Sequence, residues 1–212
     1  MERTERLCHY GQVSGTRVKQ CQEIFLRVGD DEKNPKSILL TGKAGIGKTV
    51  FCQKLIRDWA DGQLFLSSVE AQICDFKFAF LMTFRQLSLL GDETLTLKEL
   101  LNSSSILDEQ SDIDDSLFEY IISHPEEVLI IIDGFDEYLK QDYIAGDVHE
   151  RYPNSAHERM PVTALCAKLM RGKILGDSVV LITSRPDETD KIGGIRVDRN
   201  VEITGFSEPE VN

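Results

Sequence analysis

The sequence predicts an α/β fold, a mainly parallel five-stranded sheet with helices on both faces. Three observations point there. Short apolar runs of strand length alternate along the chain with stretches of helical periodicity, and that alternation implies parallel strands joined by crossovers. One run, Val128–Ile132, is aliphatic without interruption, as in a strand covered on both faces. A glycine-rich turn over Gly42–Gly47 joins the first such run to a helical pattern. The chain has 212 residues, of which 41% are apolar. At about 150 residues per domain that is roughly 1.4 domains, with enough apolar surface for a packed core.

Taken in order, Val18, Cys21, Phe25 and Val28 recur at helical spacing and predict a helix over roughly Val18–Val28. Gly29–Pro35 reads as a loop. Ser37–Thr41 is the first buried strand, and after the glycine turn Phe51, Leu55 and Trp59 repeat every four residues until Asp61-Gly62 closes the helix. Phe76–Phe84 alternates bulky apolar residues and reads as the second strand. Thr96 with Glu99 has the spacing of a capping box, so a helix starts there. Residues 102–115, rich in Ser and Asp, read as a solvated loop. Leu117–Ile122 suggests a helix stopped by His124-Pro125, and Val128–Ile132 is the third strand. Residues 139–160 have no clear period and read as an irregular insertion. Pro161 then opens a helix with Val162, Leu165, Cys166, Leu169, Met170 and Ile174 on one face, which makes Cys166 a core residue rather than a nucleophile. Ser178–Thr183 and Val201–Ile203 are the fourth and fifth strands, and Glu208–Asn212 reads as the start of a further helix, as in a piece of a longer protein.

Composition narrows the function. The net charge is −12, which argues against direct nucleic-acid binding through phosphate contacts. No run approaches the roughly 18 apolar residues of a membrane span, and the N-terminus shows no secretory signal. Five cysteines are widely spaced with no Cys-x-x-Cys pair, which fits a reducing intracellular compartment and neither a disulfide framework nor a zinc site.

The segment Gly42-Lys43-Ala44-Gly45-Ile46-Gly47-Lys48-Thr49 satisfies G-x-x-x-x-G-K-[ST]. Wrapping a polyphosphate needs tight turns and close approach of backbone N–H groups, and glycine allows both. Lys48 is suited to lie between β- and γ-phosphates, Thr49 to offer its hydroxyl to Mg²⁺, and the helix beginning there, with Val50 in its first turn, to point its positive end at the same oxygens. With so acidic a chain, binding rests on local donors and Mg²⁺ rather than on a global field.

The third strand runs into Asp133-Gly134-Phe135-Asp136-Glu137. A carboxylate at the C-terminal end of a strand faces the ligand crevice of an open α/β sheet, so Asp133 is the candidate for holding Mg²⁺, through water. Asp136 or Glu137 is the candidate for orienting or deprotonating an attacking water; a solvated or helix-capping acidic turn is the alternative. The fourth strand ends in Thr183-Ser184-Arg185-Pro186. If that strand lies between the first and third, Arg185 faces the γ-phosphate and reports its presence; the alternative is a surface ion pair. Arg85, after the second strand, stands evenly between a site role and a structural one.

Gly42–Thr49, Asp133–Glu137, Thr183–Pro186 and the closing Glu202–Glu208 together resemble the NACHT domain, a P-loop NTPase module of NOD-like receptors, over roughly residues 35–208. Phe80–Leu87, with Phe84-Arg85-Gln86-Leu87, resembles the family's second-strand segment, except that Gln86 stands where Glu is usual. The resemblance implies a three-layer sandwich with strand order 5-1-4-3-2, the nucleotide-binding domain occupying 36–208 between a flanking segment at 1–35 and the start of a helical segment at 209–212. It implies Walker A and Walker B motifs, ATP or ADP with Mg²⁺, slow ATP hydrolysis, and a nucleotide-dependent switch that self-associates with like modules. Cytoplasmic innate-immune signalling belongs to the same implication. A scaffold that holds nucleotide without hydrolysing it, or a small-molecule kinase with residues 139–160 as its lid, are the alternatives. There is no Asn-Lys-x-Asp element for guanine and no Leu-Ser-Gly-Gly signature of a transporter ATPase.

Overall fold

The computed structural model describes residues 10–13, 16–18, 20–27, 33–65, 75–104, 112–192 and 194–204. Its centre is a sheet of β1 (Ser37–Gly42), β2 (Phe78–Thr83), β3 (Val128–Asp133), β4 (Val179–Ser184) and β5 (Arg199–Ile203), every pairing of which is parallel. From one edge the order is β2-β3-β4-β1-β5. Numbered within this sheet it reads 5-1-4-3-2 from the β5 side. Two small antiparallel ladders lie outside it, Tyr10–Val13 with Thr16–Val18 and Thr94–Leu95 with Met160–Pro161. Neither was legible beforehand, and counting them changes the whole-chain numbering in detail.

The sheet separates two cores because successive side chains of a strand point to opposite faces. On one face Ile38, Leu40, Leu129, Ile131, Val179 and Leu181 pack with Phe51, Cys52 and Leu55 of α1 (Lys48–Ala60). On the other, Leu39, Ile130, Ile132, Val180 and Ile182 pack with Leu165 and Leu169 of α6 (Val162–Met170). All six residues of β3 and of β4 are buried, which explains why these strands read as unbroken apolar runs.

Short helices fill the crossovers. α2 (Phe84–Leu89) follows β2 directly, and Gln86 closes a capping box with Thr83 there, so Gln86 serves the helix N-terminus. The box read at Thr96 and Glu99 is present and starts α3 (Leu97–Asn102). α4 (Asp115–Ser123) is capped by Asp114 and ends at His124. At the β2 edge away from β3, the buried Ser104 hydroxyl accepts from Leu81 N–H at 3.0 Å and donates to Leu81 O at 2.9 Å. One side chain thus bonds both backbone groups of an edge-strand residue.

Three expectations need correction. The helix expected over Val18–Val28 is the end of a strand followed by one 3-10 stretch, Cys21–Phe25; Val18, Cys21 and Phe25 are buried nonetheless, since spacing near three suits a 3-10 turn as well as a helix. The insertion at 139–160 contains α5 (Gln141–Ala145) and a 3-10 turn at Val148–Arg151, too short to show a period. The helix opened by Pro161 ends at Met170, and Ile174 reaches the core from the turn beyond, where Gly172 has φ of 62°. Val28, residues 105–111 and residues 205–212, including the closing Glu208 and the expected last helix, lie outside the described residues.

Candidate functional site

The C-terminal tips of β1, β3 and β4 lie side by side, and the candidate residues meet there. β1 ends at Gly42, the loop 43–47 turns back, and α1 begins at Lys48. Gly42 is packed closely: a Cβ there would stand 2.8 Å from Ile46 Cγ2 and 3.2 Å from the Ile203 carbonyl of β5. Gly45 and Gly47 have φ of 71° and 109°, a region costly for residues with a side chain. Gly47 is the N-cap of α1, and no acidic residue occupies the first turn. The unpaired N–H groups of that turn keep their positive end free for an anion. Lys43, Ala44, Gly45, Thr49 and Val50 are exposed, with Ile46, Gly47 and Lys48 half-buried. The Lys48 ammonium donates to Gly42 O at 2.7 Å and Lys43 O at 3.3 Å, closing the loop on itself.

Across from the loop stands Asp133, buried at the end of β3. Thr49 Oγ1 donates to its Oδ2 at 2.7 Å, and Thr183 Oγ1 donates to its Oδ1 at 2.5 Å. Gly134 N–H in turn donates to Thr183 Oγ1 at 2.7 Å. Cys52 Sγ lies 4.0 Å from Oδ1. Burial pushes the Cys52 thiol well up, and the Asp133 charge pushes it further. The thiol stays protonated and is no nucleophile.

Past Asp133 the chain turns at Gly134, with φ of 82°, into the 3-10 turn Phe135–Glu137. Phe135 anchors that turn, fully buried with its ring edge-on to Phe84 at 5.3 Å. Asp136 and Glu137 part company here. The Asp136 carboxylate has only 6% of its surface exposed and pairs with Arg185 Nε at 2.7 Å, whereas the Arg185 side chain is 47% exposed. Glu137 is exposed, and its side chain lies back over Gly134, with Cδ 3.6 Å from where a Cβ at Gly134 would stand. Arg85 is exposed in the first turn of α2.

The structure therefore joins Thr49 to Asp133 and Arg185 to Asp136. Sequence reasoning gave Thr183 no role. The signal was parity: Val179 and Leu181 share its face of β4 and are aliphatic, and only the third position carries a hydroxyl. Two cavities among the described residues are lined without Gly42–Thr49. One of about 800 Å³ opens at the opposite end of the sheet around Lys36, Ser37, Arg171 and Arg199. One of about 450 Å³ lies beside β1 and β5, between Leu39, Thr41, Glu202 and Pro186. A nucleotide site that is an open rim of backbone amides need not be a deep cavity. Among the described residues no group of three or more His, Cys, Asp or Glu is arranged to hold a metal ion, and no helix is long and apolar enough to cross a membrane.

A phosphate-type loop running from the tip of a parallel strand into a helix, its threonine bonded to a strand-ending carboxylate, defines a nucleotide-binding module of the P-loop NTPase class. Residues 36–212 match the family described as the NACHT domain, and the chain belongs to that family. It is 33% identical over 177 residues to human "NACHT, LRR and PYD domains-containing protein 12", covering 83% of this chain and 15% of that protein. It is 30% identical over 183 residues to the zebrafish (Danio rerio) "NACHT, LRR and PYD domains-containing protein 1 homolog", covering 85% of this chain and 12% of the relative. Human "Protein NLRC5" is 36% identical over 154 residues, 73% of this chain and 7% of that protein. The chain thus spans about a seventh or less of the length of these relatives.

Proposed function

We propose that this chain is an ATP/ADP-binding switch module with slow Mg²⁺-dependent ATP hydrolysis, working within a larger cytoplasmic immune receptor and self-associating with like modules. The observation that carries the reading is the bond between Thr49 and Asp133, 84 residues apart in sequence and 2.7 Å apart in space. Such a pair suits Mg²⁺, which takes one or two protein oxygens and completes its shell with water and substrate phosphate. When bound, the ion neutralises phosphate charge. Gly42–Gly47 supplies backbone amides to the phosphates, and the Lys48 ammonium leaves the Gly42 and Lys43 carbonyls for the stronger charge-assisted contact to phosphate oxygen.

Roles at the reacting end follow from exposure. Glu137, exposed beside the tip of β3, is the group to orient or deprotonate water. Asp136, nearly buried and tied to Arg185, holds the guanidinium by Nε and leaves its Nη atoms for a γ-phosphate. A slow rate is in keeping with a site this open, since water-excluded sites are where fixed charges act most strongly. The test is calorimetric titration of ATP and ADP with Mg²⁺ into the chain and its Lys48→Ala variant. We expect binding that the variant weakens at least tenfold; equal binding by the two would remove the phosphate-loop assignment. Binding without any phosphate release, unaffected by Glu137→Gln, would favour the non-hydrolysing scaffold.

A further inference from the structure

We propose that Thr183 is a positioning residue for the metal-holding end of this site, setting the Asp133 carboxylate and, through it, the hydroxyl of Thr49. The inference rests on the nucleotide reading above.

Proton bookkeeping carries it. A threonine hydroxyl has one hydrogen to give and lone pairs to receive. The Gly134 N–H can only donate, so at 2.7 Å the Thr183 oxygen must accept from it. The single Thr183 hydrogen is then directed to Asp133 Oδ1, 2.5 Å away. Asp133 Oδ2 receives the Thr49 hydrogen at 2.7 Å. With that hydrogen committed, the lone pairs of Thr49 point away from the carboxylate, as a cation beside the phosphate loop requires. Each hydrogen in the chain Gly134, Thr183, Asp133, Thr49 has one direction, because the amide at one end can only donate and the carboxylate oxygens only accept.

Burial gives the arrangement its rigidity. Thr183 has 0% and Asp133 6% of its surface exposed, so water does not compete and the low local dielectric strengthens each bond. Among the described residues Oδ1 is also approached weakly by Cys52 Sγ, at 4.0 Å. Packing alone does not explain a hydroxyl here. Valine has the same shape, and the positions below on this face of β4 are Val179 and Leu181. The hydroxyl also ties β4 to the first residue of the turn bearing Asp136, while two residues on Arg185 pairs with Asp136 itself. The tip of β4 therefore registers the whole acidic turn against the loop.

Groups that hydrogen-bond a metal-holding ligand usually matter about ten- to hundredfold in metal affinity. The test measures Kd for a fluorescent ADP analogue in Mg²⁺ and in EDTA, for wild type, Thr183→Val and Thr183→Ser. Each ratio Kd(EDTA)/Kd(Mg²⁺) comes from one preparation, so loss of folded protein cancels. Thr183→Val should cut the ratio roughly tenfold or more, leave Kd in EDTA within about twofold, and be rescued by Thr183→Ser. If the valine variant does not fold, Thr183→Ala takes its place. An unchanged ratio, or an equal loss in the serine variant, overturns the proposal. Binding by wild type with no dependence on Mg²⁺ overturns it while sparing nucleotide binding. No binding by wild type in either buffer removes the nucleotide reading and this inference together.

Discussion

Alanine at position 42 should damage the phosphate loop from inside, without touching any ligand. A Cβ there would lie 2.8 Å from Ile46 Cγ2 and 3.2 Å from the Ile203 carbonyl, against about 3.5–4.0 Å for a relaxed carbon–carbon contact. Neither neighbour yields easily. Ile46 is β-branched and packs against the α1-side core, and Ile203 is the β5 residue opposite Gly42 in the parallel pairing. Overpacking of this kind costs about 1–3 kcal/mol. For a chain of this size about 2–4 °C of Tm goes with each kcal/mol, so a cost of about 2 kcal/mol lowers Tm by roughly 4–8 °C. Urea unfolding of wild type, Gly42→Ala, Ile46→Ala and the double variant measures it. Removing Cγ2 relieves the closer contact but not the carbonyl one. The alanine should therefore cost about 1 kcal/mol less in the Ile46→Ala background, a coupling of the size found between touching residues. Additive effects, or a Gly42→Ala protein as stable as wild type, would refute the steric account of this glycine.

Other outcomes follow from the same geometry. Arg185→Ala should narrow the gap between ATP and ADP affinity, because only the triphosphate offers a γ-oxygen to the guanidinium, and Asp136→Asn should narrow it in the same direction by releasing Nε; unchanged discrimination in calorimetry counts against both. Burial pushes the Cys166 thiol up to about 12 from an ordinary 9.0. A group whose pKa is raised by folding stabilises fully below its unfolded value and loses that contribution as pH climbs toward the folded one. Stability should then decline between about pH 9 and 12, less steeply in Cys166→Ala; parallel pH profiles of the urea midpoint would exclude this thiol as a contributor.

Local chemistry was legible where it rests on short-range rules. Thr96 with Glu99 announced a capping box because the two groups serve each other within one turn. Gly42–Thr49 announced a tight turn between strand and helix because glycine positions are set by backbone angles and close approach. Val128–Ile132 announced a central strand because only a strand covered on both faces loses its alternation. Period-based reading failed where elements are shorter than the period needs, as in α5 and at Cys21–Phe25. It also failed for the small ladder of Thr94–Leu95 with Met160–Pro161, whose two halves lie 65 residues apart in the chain.

Position along the chain sufficed to name Asp133, Asp136, Glu137 and Arg185 as candidates, since each follows the end of a strand and strand ends gather at one rim. It did not say which carboxylate meets which donor. Asp136 and Glu137 are neighbours of like charge, yet the 3-10 turn sends one under Arg185 and leaves the other in solvent. Thr183 became visible as a partner of Asp133 only when β3 and β4 were paired in register, because a hydrogen bond across 50 residues of chain depends on strand order and not on spacing. Composition and periodicity are properties of a line, whereas the direction of a single hydroxyl hydrogen is settled by what folding brings to within 3 Å of it.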